Sequence, residues 1–121
     1  MRDTIDPIFV VDDDLGILES FDAILGEDYP LVMIDNGNDA IERIVDQAPR
    51  LIFLDIKIPG PNGLEVLASI RRKGVATHVV VVTALAGDHY QELAEQYGVN
   101  RYLHKPLDVD EVQDIARSVL N

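Results

Sequence analysis

Four uninterrupted apolar runs constrain this chain more than any other feature: "IFVV" at Ile8 to Val11, "LVMI" at Leu31 to Ile34, "LIFL" at Leu51 to Leu54 and "VVVV" at Val79 to Val82. Each is apolar at every position rather than at every second one. Such strands are suited to being covered on both faces, as in a parallel sheet with helices above and below. A fifth, shorter run is Tyr102-Leu103. Between the runs the apolar period changes to that of a helix. Leu18, Phe21 and Leu25 are so spaced, with Ile17 and Ile24 beside them. Ile41, Ile44 and Val45 repeat the pattern, as do Leu64, Leu67 and Ile70. Leu93, Ala94 and Tyr97 make a weaker fourth segment, and Val112, Ile115, Val119 and Leu120 a fifth. Five β-then-α units predict an α/β fold, a doubly wound sheet with helices on both faces.

Local signals agree with that reading. Asp14 and Asn62 stand where helix N-caps are wanted, and Asp108 with Glu111 resembles a capping box. Gly74 and Gly98 follow the third and fourth helical segments, where a left-handed residue ends a helix. With 121 residues and no linker or repeat, the expectation is a single domain over residues 1–121.

Composition narrows the function classes. The 22 acidic residues against 10 Lys and Arg give a net charge of −12, which repels phosphate backbones, so no direct nucleic-acid binding is expected. No apolar run approaches the length of a membrane span. With no cysteine and no signal-like N-terminal stretch, a cytoplasmic location is expected.

In an open α/β sheet, ligands bind beyond the carboxyl ends of the strands. Asp12, Asp13 and Asp14 follow the first run, Asp55 the third, Thr83 the fourth, and His104, Lys105 and Pro106 the fifth. If strands one, three, four and five are neighbours, three carboxylates, a hydroxyl and an ammonium converge on one rim. Two unit charges ~4 Å apart repel by about 4 kcal/mol at an effective dielectric near 20, so the carboxylates call for a cation. An all-oxygen donor set suits Mg²⁺ or a similar divalent ion, and no Cys/His set for zinc exists. A near-neutral site of this kind can stabilise a phosphoryl group in transfer to a carboxylate nucleophile. Asp55 is the candidate nucleophile, because it stands alone on its strand while Asp12 and Asp13 form a pair placed for the metal. The three histidines form no such constellation: His78 begins the fourth run, His89 belongs near the fourth helix, and His104 should point away from Lys105.

At this point the chain resembles a response-regulator receiver domain, the phosphoacceptor module of two-component signalling, from Ile8 to Leu120. The motifs that carry the resemblance are "VVDDD", "LDIKIPGPNG", "VVTA" and "YLHKP". It implies the flavodoxin-like receiver fold, five parallel strands in the order 2-1-3-4-5 with five helices, the order of chemotaxis receivers. It also implies Asp55 as phosphoacceptor, with Pro59 and Gly63 at the family's spacing after it. Asp12, Asp13, Asp55 and the backbone carbonyl of Lys57 would hold Mg²⁺, or another divalent cation such as Mn²⁺. Thr83 and Lys105 would contact the phosphoryl group, Ala84 is the small neighbour of Thr83, and the bond before Pro106 is often cis in the family. Tyr102 occupies the switch position and moves with Thr83. The implied partners are a histidine kinase or a histidine phosphotransfer protein. An output protein, or a second copy in a homodimer, would meet the surface of the fourth helix, fifth strand and fifth helix, to which Tyr90, Glu92 and Glu95 would contribute.

Lys57 replaces the more frequent apolar residue two positions after the acceptor, and Leu85 stands two after Thr83; together they are expected to set the lifetime of the phosphorylated state. Three other readings compete. A Mg²⁺-dependent phosphohydrolase would need a cap or further sheet, for which no residues are left. A degenerate interaction module would have lost site residues, and none is missing. A flavin protein would need a Ser/Thr-rich phosphate loop after the first strand. The reading is therefore a signalling phosphoacceptor, with self-catalysed phosphoryl acceptance and dephosphorylation as its only chemistry.

Overall fold

The computed structural model describes residues 6–84 and 88–121, without the side chains of residues 88–90 and 93. Five strands alternate with five helices: β1 (Ile8–Val11), α1 (Leu15–Leu25), β2 (Leu31–Ile34), α2 (Gly37–Gln47), β3 (Leu51–Asp55), α3 (Gly63–Arg72), β4 (His78–Thr83), α4 (Asp88–Glu95), β5 (Arg101–His104) and α5 (Val109–Leu120). The strands form one parallel sheet in the order β2-β1-β3-β4-β5. Three strands extend beyond the apolar runs. Asp55 is the last residue of β3, paired with Val82, and Thr83 closes β4 opposite His104, so both sit within the ladder rather than after it.

The alternation of side chains along each strand divides the core in two. Phe9, Val11, Ile52, Leu54, Val79 and Val81 face α2, α3 and α4, meeting Ile44, Leu67 and Ala94. Ile8, Val10, Leu51, Phe53, Val80 and Val82 face α1 and α5, meeting Phe21, Leu25, Val112 and Ile115. Phe21 and Phe53 stack obliquely, with centroids 4.8 Å apart. β2 departs from the expectation of two-sided burial: only Ile34 is buried, and Leu31, Val32 and Met33 are half-buried. It forms the sheet edge, as the expected strand order 2-1-3-4-5 places it, and so lacks a neighbour on one side although its sequence resembles that of the inner strands. Val45 also departs from the expected buried stripe of α2, being 39% exposed, while Ala40 and Ile44 carry that face.

The caps follow the sequence closely, since each is a contact over a few residues. Asp14 accepts from Gly16 N–H at 2.8 Å. Asn62 and Glu65 form a full capping box. Asp108 accepts from Glu111 N–H at 3.0 Å, but the Glu111 carboxylate turns to Arg101 at 3.2 Å on β5 instead of closing the box. Gly74 and Gly98 are left-handed, as expected. Ala48, which ends α2, is left-handed too, at φ 44°.

Candidate functional site

Parity along the strands places the rim residues. Continuing the alternation of β1, β3 and β5 puts Asp12, Asp55 and Lys105 on the α1/α5 side, one step past Val10, Phe53 and Leu103. Asp12 continues β1 by donating its N–H to Ile34 O at 2.9 Å, and Lys105 continues β5 by donating to Thr83 O at 3.0 Å. Two facing strands thus bring together carboxylates 43 residues apart, and a third adds the ammonium.

Carboxylate oxygens of Asp12, Asp13 and Asp55 all lie within 4.8 Å of one another. Asp12 is 2% exposed and Asp55 6%, whereas Asp13 is open to solvent. Lys105 Nζ is 2.9 Å from Asp12 Oδ2 and 3.7 Å from Asp55 Oδ2. Among the described residues Asp12 Oδ2 is buried and makes no hydrogen bond of standard geometry, so its compensation there is the ion pair. The other oxygen, Asp12 Oδ1, accepts from Asp14 N–H at 2.9 Å. Asp55 Oδ1 accepts from Ile56 N–H at 3.0 Å.

These surroundings set the charge state. Burial, reinforced by the Asp12 carboxylate, raises the Asp55 pKa from 3.8 to about 6 against the opposing pull of Lys105 and the Ile56 amide. Burial alone would lower Lys105; the 2.9 Å contact with Asp12 and the charges of Asp55 and Asp12 outweigh it, and the ammonium is held above its ordinary value. Three carboxylates against one ammonium leave a surplus of negative charge. That surplus, an all-oxygen donor set and a buried Asp12 oxygen lacking a directed hydrogen bond fit a hard divalent cation.

Sequence reasoning named these residues, and the fold brings Asp12, Asp13, Asp55 and Lys105 together. Asp14 stays outside, as the α1 cap. Thr83 is buried one residue beyond Val82, the partner of Asp55, and belongs to the α2–α4 face by parity with Val79 and Val81. Tyr102 pairs with Val81 and packs on that same face, its hydroxyl donating to Gln91 O of α4 at 2.9 Å. Burial first, and Glu95 second, raise its pKa. The side chain of Lys57 is exposed in the loop after Asp55. The Lys105-Pro106 bond is cis. His78 lies at the opposite end of β4, with its pKa lowered by burial and by Arg71, and His104 is exposed. Leu85 lies outside the described residues, and so do the side chains of His89 and Tyr90. Glu92 and Glu95 are exposed on α4.

The loop after Asp55 is held by two glycines. Gly63 N–H donates to Ile56 O at 2.7 Å, and a Cβ on Gly63 would collide with the Asp55 carbonyl. Gly37, at the start of α2, donates to Pro59 O at 2.9 Å, and a Cβ there would collide with the Pro61 carbonyl. Gly37 was not singled out from the sequence, because its contact is made across two loops and leaves no local pattern.

Comparison with known proteins agrees with this geometry. Residues 8–117 match the family of response regulator receiver domains, and the chain belongs to that family. Receiver domains are the phosphoacceptors of two-component systems and work with histidine kinases and phosphotransfer proteins. Sporulation initiation phosphotransferase F of Bacillus subtilis is 29% identical over 93% of this chain and 92% of its own length. The DNA-binding transcriptional regulator NtrC of Salmonella typhimurium is 31% identical over 94% of this chain, which spans only 24% of that regulator. The BeF3-activated N-terminal receiver domain of Klebsiella pneumoniae RstA superposes with a TM-score of 0.85 at 27% identity, covering 96% of this chain and 99% of that one. Among the described residues no helix is long and apolar enough to cross a membrane.

Proposed function

We propose that Asp55 accepts a phosphoryl group from the phosphohistidine of a histidine kinase or histidine phosphotransfer protein. The observation that supports this most directly is the cluster of Asp12, Asp13 and Asp55 carboxylates with Lys105 at its edge. An Asp55 oxygen attacks phosphorus, the N–P bond breaks, and the donor imidazole leaves. A single negative charge at Asp55 becomes a group of roughly two, with three strong acceptor oxygens. Lys105, already 3.7 Å from the carboxylate, supplies one counter-charge, and the Thr83 hydroxyl a hydrogen bond. Asp12, Asp13, Asp55 and the Lys57 carbonyl would hold a divalent cation, Mg²⁺ or Mn²⁺, which when bound lowers the charge on the transferring phosphoryl oxygens.

The output follows from the shared face of Thr83 and Tyr102. Thr83 drawn toward the phosphoryl group vacates space on the α4 side of the sheet, and Tyr102, tied to Gln91, carries the change to the α4-β5-α5 surface. An output protein or a second copy reads that surface. Residues 1–121 act as one receiver domain, with no catalysis beyond phosphoryl acceptance and loss at Asp55.

The test is intact mass after incubation with acetyl phosphate, with and without Mg²⁺, and with a phosphorylated histidine phosphotransfer protein, on the wild type and Asp55→Asn. A single metal-dependent phosphoryl adduct confined to the wild type is expected. No adduct from either donor would overturn the proposal.

A further inference from the structure

We propose that the groove between α1 and the open edge of β2 is a docking surface for a basic amphipathic helix of a partner protein. The groove encloses about 440 Å³ and is walled by Leu15 and Leu18 of α1, Tyr29, and Met33 of β2. Leu15 is 69% exposed, the most open of the large hydrophobic side chains among the described residues. Met33 and Leu18 are half-buried, and among the described residues no strand or helix covers β2 on its outer side. Apolar surface gathered into one concave strip, rather than scattered, marks an interaction site.

The shape and charge of the groove select the occupant. It runs alongside α1 from Leu15 to Gly26, roughly 17 Å at 1.5 Å per residue, or about three helical turns. A helix of that length lays its apolar stripe into such a groove and aligns its flanks with the rim. The rim here is acidic, with Glu19 and Asp22 lining the groove. A second depression shares Leu18 and Met33 and continues the strip past Asp35 and Asp39 to Arg43. The whole chain carries a net charge of −12, so a second copy would bring like charge against like charge. The complement is a segment with leucine-like residues on one side and lysine or arginine flanking them.

The location separates this surface from the one that reports phosphorylation. β2 and β5 are opposite edges of the sheet, and the other flank of α1 is committed to α5, where Gln113 Nε2 reaches Ile24 O at 3.5 Å. A partner in the groove therefore leaves the β5 edge free, and the receiver can be held by one protein while it signals through another.

The experiment is amide ¹H–¹⁵N shift mapping of the full chain, without a phosphodonor, titrated with a synthetic helical peptide of leucines on one face and lysines on the other. Shifts clustered at Leu15, Leu18 and Met33 are expected. The double variant Glu19→Lys/Asp22→Lys should weaken the peptide by about tenfold, while Asp110→Lys/Asp114→Lys on α5, with the same change in net charge, should alter it by less than about twofold. All four positions are exposed, so both variants keep the fold. Leu15→Ser, also at an exposed position, should weaken binding as well. Shifts centred elsewhere, equal weakening by both double variants, or groove shifts that follow protein concentration without peptide would each overturn the proposal. None of these outcomes bears on phosphorylation of Asp55.

Discussion

Lys105 Nζ stands closer to Asp12 than to Asp55, at 2.9 Å against 3.7 Å. The ammonium therefore compensates the more deeply buried carboxylate first, and Asp55 keeps part of its desolvation cost. In the role proposed for Asp55 this division helps: an under-compensated carboxylate attracts a divalent cation, and the cation in turn offsets the charge of an incoming anionic phosphoryl group.

The first prediction concerns pH. The Asp55 pKa is raised from 3.8 to about 6, so the carboxyl favours the folded state fully below pH 3.8, and that stability is lost as pH rises through about 6. A shift of roughly two units corresponds to about 3 kcal/mol. In chelator, Asp55→Asn should exceed the wild type in urea-unfolding stability at pH 7.5 by up to that amount. The difference should close by about pH 4, and a difference independent of pH would refute the assignment.

Removal of the ammonium should act the other way. Lys105→Met leaves the buried Asp12 oxygen facing Asp55 with no cation between them, and breaking such a pair costs about 3–5 kcal/mol. Lys105 has a raised pKa, so its contribution is full below its unfolded value of 10.5 and lost as pH rises through the folded one. Unfolding titrations should show the variant destabilised at neutral pH and partly rescued by Mg²⁺, which the wild type needs less.

Arg71 ties the end of α3 to the segment before β5, with Nε and both terminal nitrogens donating to the carbonyls of Tyr97, Val75 and Gly98 at 2.7 to 2.9 Å. Arg71→Met should cost about 2–3 kcal/mol, since hydrogen bonds to a charged group are worth about 1.5–3 kcal/mol each, the exposed Gly98 carbonyl can turn to water, and the part-buried Tyr97 and Val75 carbonyls recover only part of theirs. Amide exchange should accelerate at Tyr97 to Asn100. The pKa of His78, lowered by burial and by Arg71, should rise in the same variant when followed by NMR.

Ala48 ends α2 at φ 44°, a left-handed conformation that costs an L-residue roughly 1–2 kcal/mol. Ala48→Gly should stabilise the protein by up to about 1 kcal/mol, part of the relief being offset by glycine's greater freedom when unfolded. A fall in the urea midpoint would show the strain to be absent.

Lys57 is exposed beside the acceptor loop, so Lys57→Met should change stability little. The decay rate of the Asp55 phosphoryl group, followed by mass, should change by more than about twofold if the ammonium reaches the phosphoryl oxygens. Exchange of Lys57 and Leu85 together with no change in decay would remove both from control of the lifetime.

The sequence by itself determined what depends on near neighbours. Continuous apolar runs marked the five strands, helical spacing marked the five helices, and Asp14, Asn62 and Asp108 capped three of them because a cap spans only two or three residues. The carboxylates at the strand ends were legible for the same reason: a polar residue closing an apolar strand is visible locally. Only the tertiary structure decided the rest. "LVMI" resembles the inner strands in composition, and although the resemblance placed β2 at the sheet edge, its half-exposure is not visible in the run itself, because burial depends on which strands lie beside it. Glu111 left its expected box for Arg101, and Gly37 met Pro61, through contacts between separate elements. Lys105 reaches Asp12 across 93 residues of chain. The sequence placed both at strand ends, but their separation is set by strand order and register, which the summed packing of both sheet faces determines.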